Sequence, residues 1–232
     1  MQYDFAAGEI LLINKPLGWT SFDVVKKVRN TIREKKVGHA GTLDPLATGL
    51  LILCTGKFTK RIDEIQGQEK EYTGIIRLGE TTPSYDRETE VIETCAFDHL
   101  SEESIKEAAK DFVGTIEQVP PIYSAVQIDG KRAYTLARKG KDVELKSRTV
   151  TIHAFDIISI DGPEVAFRVV CSKGTYIRSL AHDLGQKLGV GAHLSKLERT
   201  RIGEYKLEKA LTIEDIVAIR KKQLEEANGS NS

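Results

Sequence analysis

Gly38-His39-Ala40-Gly41-Thr42-Leu43-Asp44-Pro45-Leu46-Ala47-Thr48-Gly49 decides how this chain is read. Its glycines free the backbone and allow close approach to a ligand. Pro45 biases Asp44 towards an extended conformation. A carboxylate is thereby presented in a loop that runs straight into Leu50–Thr55, an apolar run of strand length. On local chemistry alone, an Asp-Pro turn in a connector is the plainer reading.

On the N-terminal side, Glu9–Ile13 predicts a strand entering a Lys15-Pro16-Leu17-Gly18 turn, followed by a helix over about Ser21 to Lys36. Thr20 or Ser21 can cap that helix, with Phe22, Val25, Val28 and Ile32 on its apolar face. On the C-terminal side, Glu71–Leu78 alternates as a half-buried strand. Ser101 caps a further helix that Gly114 ends. Ser124–Ile128 and Lys131 onward form a hairpin about Asp129-Gly130. A second hairpin joins Thr149–Ile160 to Glu164–Cys171. Ile177, Leu180, Ala181, Leu184 and Leu188 mark another helix, and Thr212 caps the last one, to about Leu224, with Ile213, Ile216, Val217 and Leu224 inward. Adjacent hairpins interspersed with isolated helices imply an α+β fold, a mixed, mostly antiparallel sheet with flanking helices. The expectation is a single catalytic domain over 1–227 and a flexible tail over 228–232.

Lys plus Arg is 34 and Asp plus Glu is 34, a formal net charge of zero. A sequence-blind polyelectrolyte binder is normally basic overall, so any nucleic-acid site must be a patch. Two runs qualify: Lys26–Lys36, with six basic residues against Glu34, and Lys131–Arg148, with seven against Asp142 and Glu144. Cys54, Cys95 and Cys171 are widely spaced and odd in number, as expected of reduced thiols in a cytoplasmic protein. The N-terminus lacks a basic stretch ahead of an apolar one, and no apolar run approaches the roughly 20 residues of a membrane span. GxGxxG, GxxxxGK[ST] and GxSxG are all absent, and the five histidines lack metal-ligand spacing.

Cys171-Ser172-Lys173-Gly174-Thr175-Tyr176-Ile177-Arg178 places Arg178 in the first turn of a helix. The dipole disfavours a cation there, and a buried carboxylate partner would compensate it; a surface arginine bearing a weak penalty is the plainer alternative.

Together, Lys15-Pro16-x-Gly18-x-Thr20-Ser21, the Gly38–Gly49 loop, Lys70-Glu71-Tyr72, Cys171–Arg178 and Gly191-Ala192-His193-Leu194 to Leu197 closely resemble the bacterial TruB family. These enzymes make pseudouridine at position 55 in the T-loop of tRNA. The resemblance covers nearly the whole chain and implies the pseudouridine synthase fold around an active-site cleft. It makes Asp44 the catalytic aspartate, Tyr72 the tyrosine against the target base, and Arg178 the partner of Asp44. Leu197 would line the uracil pocket and His39 would sit against the T-loop. Lys15, Asp86 and Tyr176 match further site positions. Around Asp86, Thr82-Pro83-Ser84-Tyr85-Asp86 keeps the acid but not its neighbours, leaving the local conformation open. Many members carry a C-terminal PUA module; the expectation here is a short form without one, whose RNA contacts include Lys131 and Arg132. The resemblance further implies a monomer acting on the tRNA T-arm, with no cofactor, no metal, no membrane and no obligatory protein partner.

Overall fold

The computed structural model describes residues 3–124, 127–128, 131–132 and 145–229. In chain order the strands are β1 (Ile10–Lys15), β2 (Val37–His39), β3 (Ala47–Thr55), β4 (Lys70–Leu78), β5 (Glu80–Thr81), β6 (Glu93–Thr94), β7 (Gly114–Gln118), β8 (Gln127–Ile128), β9 (Lys131–Arg132), β10 (Arg148–Asp161), β11 (Glu164–Cys171), β12 (Ala192–Ile202) and β13 (Tyr205–Lys206). The helices are α1 (Ser21–Ile32), α2 (Ile62–Gly67), α3 (Glu102–Lys110), α4 (Ile177–Lys187) and α5 (Ile213–Gly229). The chain divides into two compact units: residues 1–70 with 198–232, and residues 71–197.

In the first unit β3 is the central strand. It pairs antiparallel with β1, from Ile10↔Cys54 to Lys15↔Gly49, and with β2, from Val37↔Thr55 to His39↔Leu53. The Glu198–Ile202 end of β12 lies on its other side and pairs with β13. β3 is buried along almost its whole length because both of its faces are covered. Leu51 and Leu53 pack with Val24, Val25, Val28 and Ile32 of α1 and with Ile213 and Ile216 of α5. Leu50, Ile52 and Cys54 face the opposite way, against Ile65 of α2 and Ile202. This two-sided burial is why Leu50–Thr55 reads as a continuous apolar run instead of alternating.

Three details of this unit differ from the sequence expectation. Phe22 is 64% exposed, and Val24 takes the core position beside Val25, Val28 and Ile32. α1 stops at Ile32, where Arg33 takes the left-handed conformation (φ 58°), so Lys35 and Lys36 follow the helix. In α5, Ile213 and Ile216 are buried as expected, whereas Val217 and Leu224 are 40% and 38% exposed and the helix continues to Gly229. Capping follows expectation. Thr20 and Asp23 form a reciprocal capping box at α1. Thr212 and Asp215 bond each other's backbone amides at α5.

In the second unit the strand order is β12 (its Ala192–Leu197 part), β4, β11, β10, β7. The β10–β11 hairpin turns at Gly162-Pro163 and contains two register shifts, between Ile152 and Ala154 and between Ile157 and Ser159. β7 pairs antiparallel with the start of β10. β8 and β9 form the expected hairpin, Ile128 opposite Lys131; its turn residues 129–130 and the stretch 133–144 of the second basic run lie outside the described residues. α3 is capped by Ser101 and buries Ile105, Ala108 and Ala109.

Gly49 shows how tightly the first unit is built. Its φ is +98°, and a Cβ there would lie 2.4 Å from the Arg199 carbonyl oxygen. Gly49→Ala should therefore cost at least about 1–3 kcal/mol from backbone strain alone. Urea unfolding should show a lower midpoint with an unchanged slope.

Candidate active site

The Asp44 loop belongs to the first unit and is held by hydrogen bonds on both sides of the carboxylate. Before it, Ser21 Oγ accepts from Leu43 N (2.9 Å) and donates to Leu43 O (3.1 Å). After it, Gly18 N donates to Pro45 O at 2.8 Å, and Ala47 N donates to Asp44 O at 3.1 Å. Ser21 therefore serves the loop, while Thr20 caps the helix. The KPxGxTS stretch is bonded to the Asp44 loop on both flanks.

Two buried cations complete this environment. The Lys15 side chain is fully buried. Its Nζ donates to Trp19 O (2.7 Å), Pro16 O (3.0 Å) and Pro45 O (3.4 Å). Burial lowers its pKa to about 8; the Arg199 cation lowers it further, and the negative charges of Asp44 and Asp23 act in the opposite sense. Arg199 is only 1% exposed. It donates through Nε to Leu50 O (2.8 Å), through Nη2 to Gly41 O (3.0 Å) and through Nη1 to Thr42 O (3.3 Å). His39 sits at the end of β2. Burial, aided by the Arg199 cation, pulls its imidazole below the usual range, so it is neutral at neutral pH. Its Nδ1 is buried with no hydrogen-bond partner among the described residues. The chemistry available in this unit is a half-buried carboxylate, Asp44, with a cation in electrostatic contact and a neutral imidazole nearby in sequence.

The second unit holds the other expected residues. Tyr72 is buried on β4 and Leu197 is half-buried on β12. Arg178 is buried in the first turn of α4. Its Nη1 donates to Tyr123 O (2.9 Å) and Ser84 O (3.3 Å) and lies 3.5 Å from Asp86 Oδ2. Asp86, itself buried, thus supplies within this unit the carboxylate that a cation at a helix N-terminus calls for. Asp86 Oδ1 also accepts from Glu88 N at 2.8 Å. Tyr176, the N-cap residue, exchanges two hydrogen bonds with the side chain of Gln118 (Tyr176 N to Oε1, 2.8 Å; Nε2 to Tyr176 O, 3.0 Å). The Arg148 guanidinium lies over its ring, 5.1 Å from the centroid. Lys131 and Arg132 have a described backbone only, in β9.

Within their own units, then, the structure groups Asp44 with Lys15, and Arg178 with Asp86. Arg199 was not foreseen. It lies in Leu197-Glu198-Arg199-Thr200-Arg201, where charged residues dominate and suggest a solvated strand. A charge at every second position was the available signal, since Arg199 and Arg201 share a face on which Arg199 is buried.

Two family models match the chain in succession. The TruB family pseudouridylate synthase N-terminal domain matches residues 29–177, and the tRNA pseudouridylate synthase B C-terminal domain matches residues 178–228. The chain belongs to the TruB family. It is 57% identical over 219 residues to a tRNA pseudouridine synthase B from Parabacteroides distasonis, covering 92% of this chain and 93% of that one. A protein of the same name from Flavobacterium johnsoniae is 54% identical over 217 residues, covering 90% and 95%. Among solved structures, an H/ACA ribonucleoprotein bound to a substrate RNA containing 2′-deoxyuridine contains a chain that is 29% identical, with a TM-score of 0.73 over 96% of this chain. This chain spans 56% of the length of that one. The α+β arrangement is accordingly the pseudouridine synthase fold of the TruB family.

Lys15 gives this site a pH signature. Its folded pKa, about 8, lies below the ordinary lysine value of 10.5. Unfolding therefore takes up a proton between about pH 8 and 10.5, and stability rises with pH across that window. The full span corresponds to about 3 kcal/mol. Urea unfolding of wild type against Lys15→Met should show wild type gaining relative stability from pH 8 to 10.5. Parallel stabilities across that window would mean that Lys15 is not desolvated as described.

Proposed function

We propose that this chain isomerises uridine to pseudouridine in tRNA, at position 55 of the T-loop, with Asp44 carrying the chemistry. The observation that supports this best is the Asp44 loop of a TruB-family chain, bonded on both flanks and in contact with the charge of a fully buried lysine. Such a loop holds one carboxylate in fixed geometry, as attack or proton abstraction near C1′ requires.

The reaction breaks the N1–C1′ bond, turns the base and joins C5 to C1′. C5 loses its proton and N1 gains one, so atoms balance, and the conversion involves neither redox change nor phosphate transfer. No cofactor is required by that balance. The uridine must first leave its stack, at a cost of a few kcal/mol that is smallest in an irregular loop. In this reading Tyr72 packs against the extruded base and Leu197 lines its pocket, while Arg178, with Asp86 behind it, pairs with Asp44. A guanidinium suits the last task because its charge is permanent and its fork bidentate. The neutral His39 sits against the remodelled T-loop, and Tyr176, under Arg148, lies two residues before Arg178 in sequence. In this reading residues 1–227 make up one catalytic domain. The enzyme acts as a cytoplasmic monomer on the T-arm, without an obligatory protein partner; among the described residues no helix is long and apolar enough to cross a membrane.

Asp44→Asn tests the assignment directly. Product formation should fall below detection while affinity for a T-arm stem-loop stays within about threefold, because phosphate contacts carry most of the affinity. Appreciable turnover by the purified variant would refute the role of Asp44.

RNA affinity is assigned to the exposed Lys26 and Lys27 of α1 and to the Lys131–Arg148 segment. Replacing Lys131 and Arg132 together should weaken binding and flatten the salt dependence of log K by about 0.7–0.9 per lost phosphate contact. Saturated turnover should hardly change. Unaltered affinity and slope would remove this segment from the footprint and leave the Asp44 chemistry standing.

A further inference from the structure

Thr82–Asp86, where the chain departs from the family pattern beside an expected site residue, also contains its most unusual backbone. Among the described non-glycine residues only Arg33 and Tyr85 have positive φ. Arg33 terminates a helix, an ordinary use of that conformation. Tyr85, at φ 62°, terminates none, and a bulky ring in the left-handed region persists only where its surroundings enforce it.

The surroundings are specific. The Tyr85 ring stacks on the His182 imidazole, with centroids 3.8 Å apart and planes inclined by 12°. Leu194 N donates to Tyr85 O at 2.9 Å, and Tyr85 N donates to Thr82 O at 3.1 Å. The next carbonyl, Asp86 O, accepts from Thr82 Oγ1 (2.6 Å) and Ser84 Oγ (3.2 Å). His182 Nδ1 is buried and has no hydrogen-bond partner among the described residues, so packing against Tyr85 orients the imidazole. His182 also follows Arg178 by four residues on α4, which puts both on one helix face. Arg178 contacts Ser84 O and Asp86 Oδ2, the groups on either side of Tyr85. One face of α4 thus grips three consecutive residues, twice through the guanidinium and once through the stack.

We propose that the Tyr85–His182 stack is a positioning device that fixes Ser84 and Asp86 on Arg178 and so aims the guanidinium for catalysis. This rests on the catalytic assignment of Arg178 made above. Neither ring needs to touch substrate. The strained backbone is what turns the Ser84 carbonyl and the Asp86 carboxylate to the same side of the tyrosine, and the stack is what holds it there.

The test is steady-state kinetics on unmodified tRNA carrying tritium at uridine C5, which isomerisation releases as water. Tyr85→Ala should lower kcat about tenfold or more with KM within about twofold, the pattern of a lost transition-state interaction. Tyr85→Phe, which keeps the stack, should retain most of kcat. His182→Leu should reproduce the loss and His182→Phe should restore it; this pair carries the test if Tyr85→Ala does not fold. Tyr85→Gly relieves the backbone, so it should melt no lower than Tyr85→Ala yet be equally slow, which a merely structural role does not predict. Wild-type kcat in both Tyr85→Ala and His182→Leu would overturn the proposal and leave the functional reading intact, as would losses matching the unfolded fraction alone. A wild-type enzyme that releases no tritium from any tRNA would overturn both.

Discussion

Everything placed around Asp44 depends on burying positive charge against backbone carbonyls. Lys15 Nζ and the Arg199 guanidinium together reach six carbonyl oxygens: those of Pro16, Trp19 and Pro45, and those of Gly41, Thr42 and Leu50. A loop with several glycines has little intrinsic preference for one conformation. A buried carbonyl left without a donor costs about 1–3 kcal/mol. The two cations bond their carbonyls and offset part of their own desolvation, and Lys15 places positive charge against the carboxylate. Removing either would leave both loop geometry and loop electrostatics unsupported.

The second unit repeats the device with different parts. Arg178 bonds the carbonyls of Ser84 and Tyr123, and its charge is balanced by Asp86. Here too an irregular segment is shaped by a guanidinium reading its backbone. A charge-assisted hydrogen bond is roughly twice as strong as a neutral one, so a few such bonds can specify a loop that has almost no regular secondary structure. Tyr176 is fixed more cheaply, by the reciprocal Gln118 amide and the Arg148 cation over its ring. The sheets supply rigid platforms, and the buried arginines carry that rigidity into the loops.

Elements whose pattern follows from a single local rule were legible in the sequence. The β10–β11 hairpin, the buried β3, and the Thr20, Ser101 and Thr212 caps follow from alternation, an uninterrupted apolar run and capping chemistry. The Asp44 loop was legible because its glycines and Pro45 are scarce residues in an unusual spacing. What escaped was decided by distant partners. Phe22 fits the helical stripe, but Ser21 is committed to Leu43, which sets the rotation of α1 so that Val24 faces the core and Phe22 solvent. Arg199 looked solvated because its acceptors lie some 150 residues earlier in the chain. The conformation at Tyr85 depends on His182, nearly one hundred residues later, and no local rule places tyrosine at positive φ.

The division of labour between lysine and arginine at these sites follows from shape and titration. Around Lys15 the acceptors converge on one point from three directions, which suits a compact ammonium with three rotatable donors. Around Arg199 they are spread along the chain from Gly41 to Leu50, which suits a planar fork with donors on different edges. The consequences for charge differ. A guanidinium stays protonated under all ordinary conditions. The ammonium of Lys15, with its pKa near 8, is the component whose charge responds to mildly alkaline pH. A Lys15→Arg exchange would fix that charge but ask a larger, flat group to occupy a point-like cage that is fully buried, and is therefore not conservative despite keeping the sign. The charge facing Asp44 thus includes a titratable part, and that part bonds the carbonyl of Pro45, the residue that follows the carboxylate in the chain.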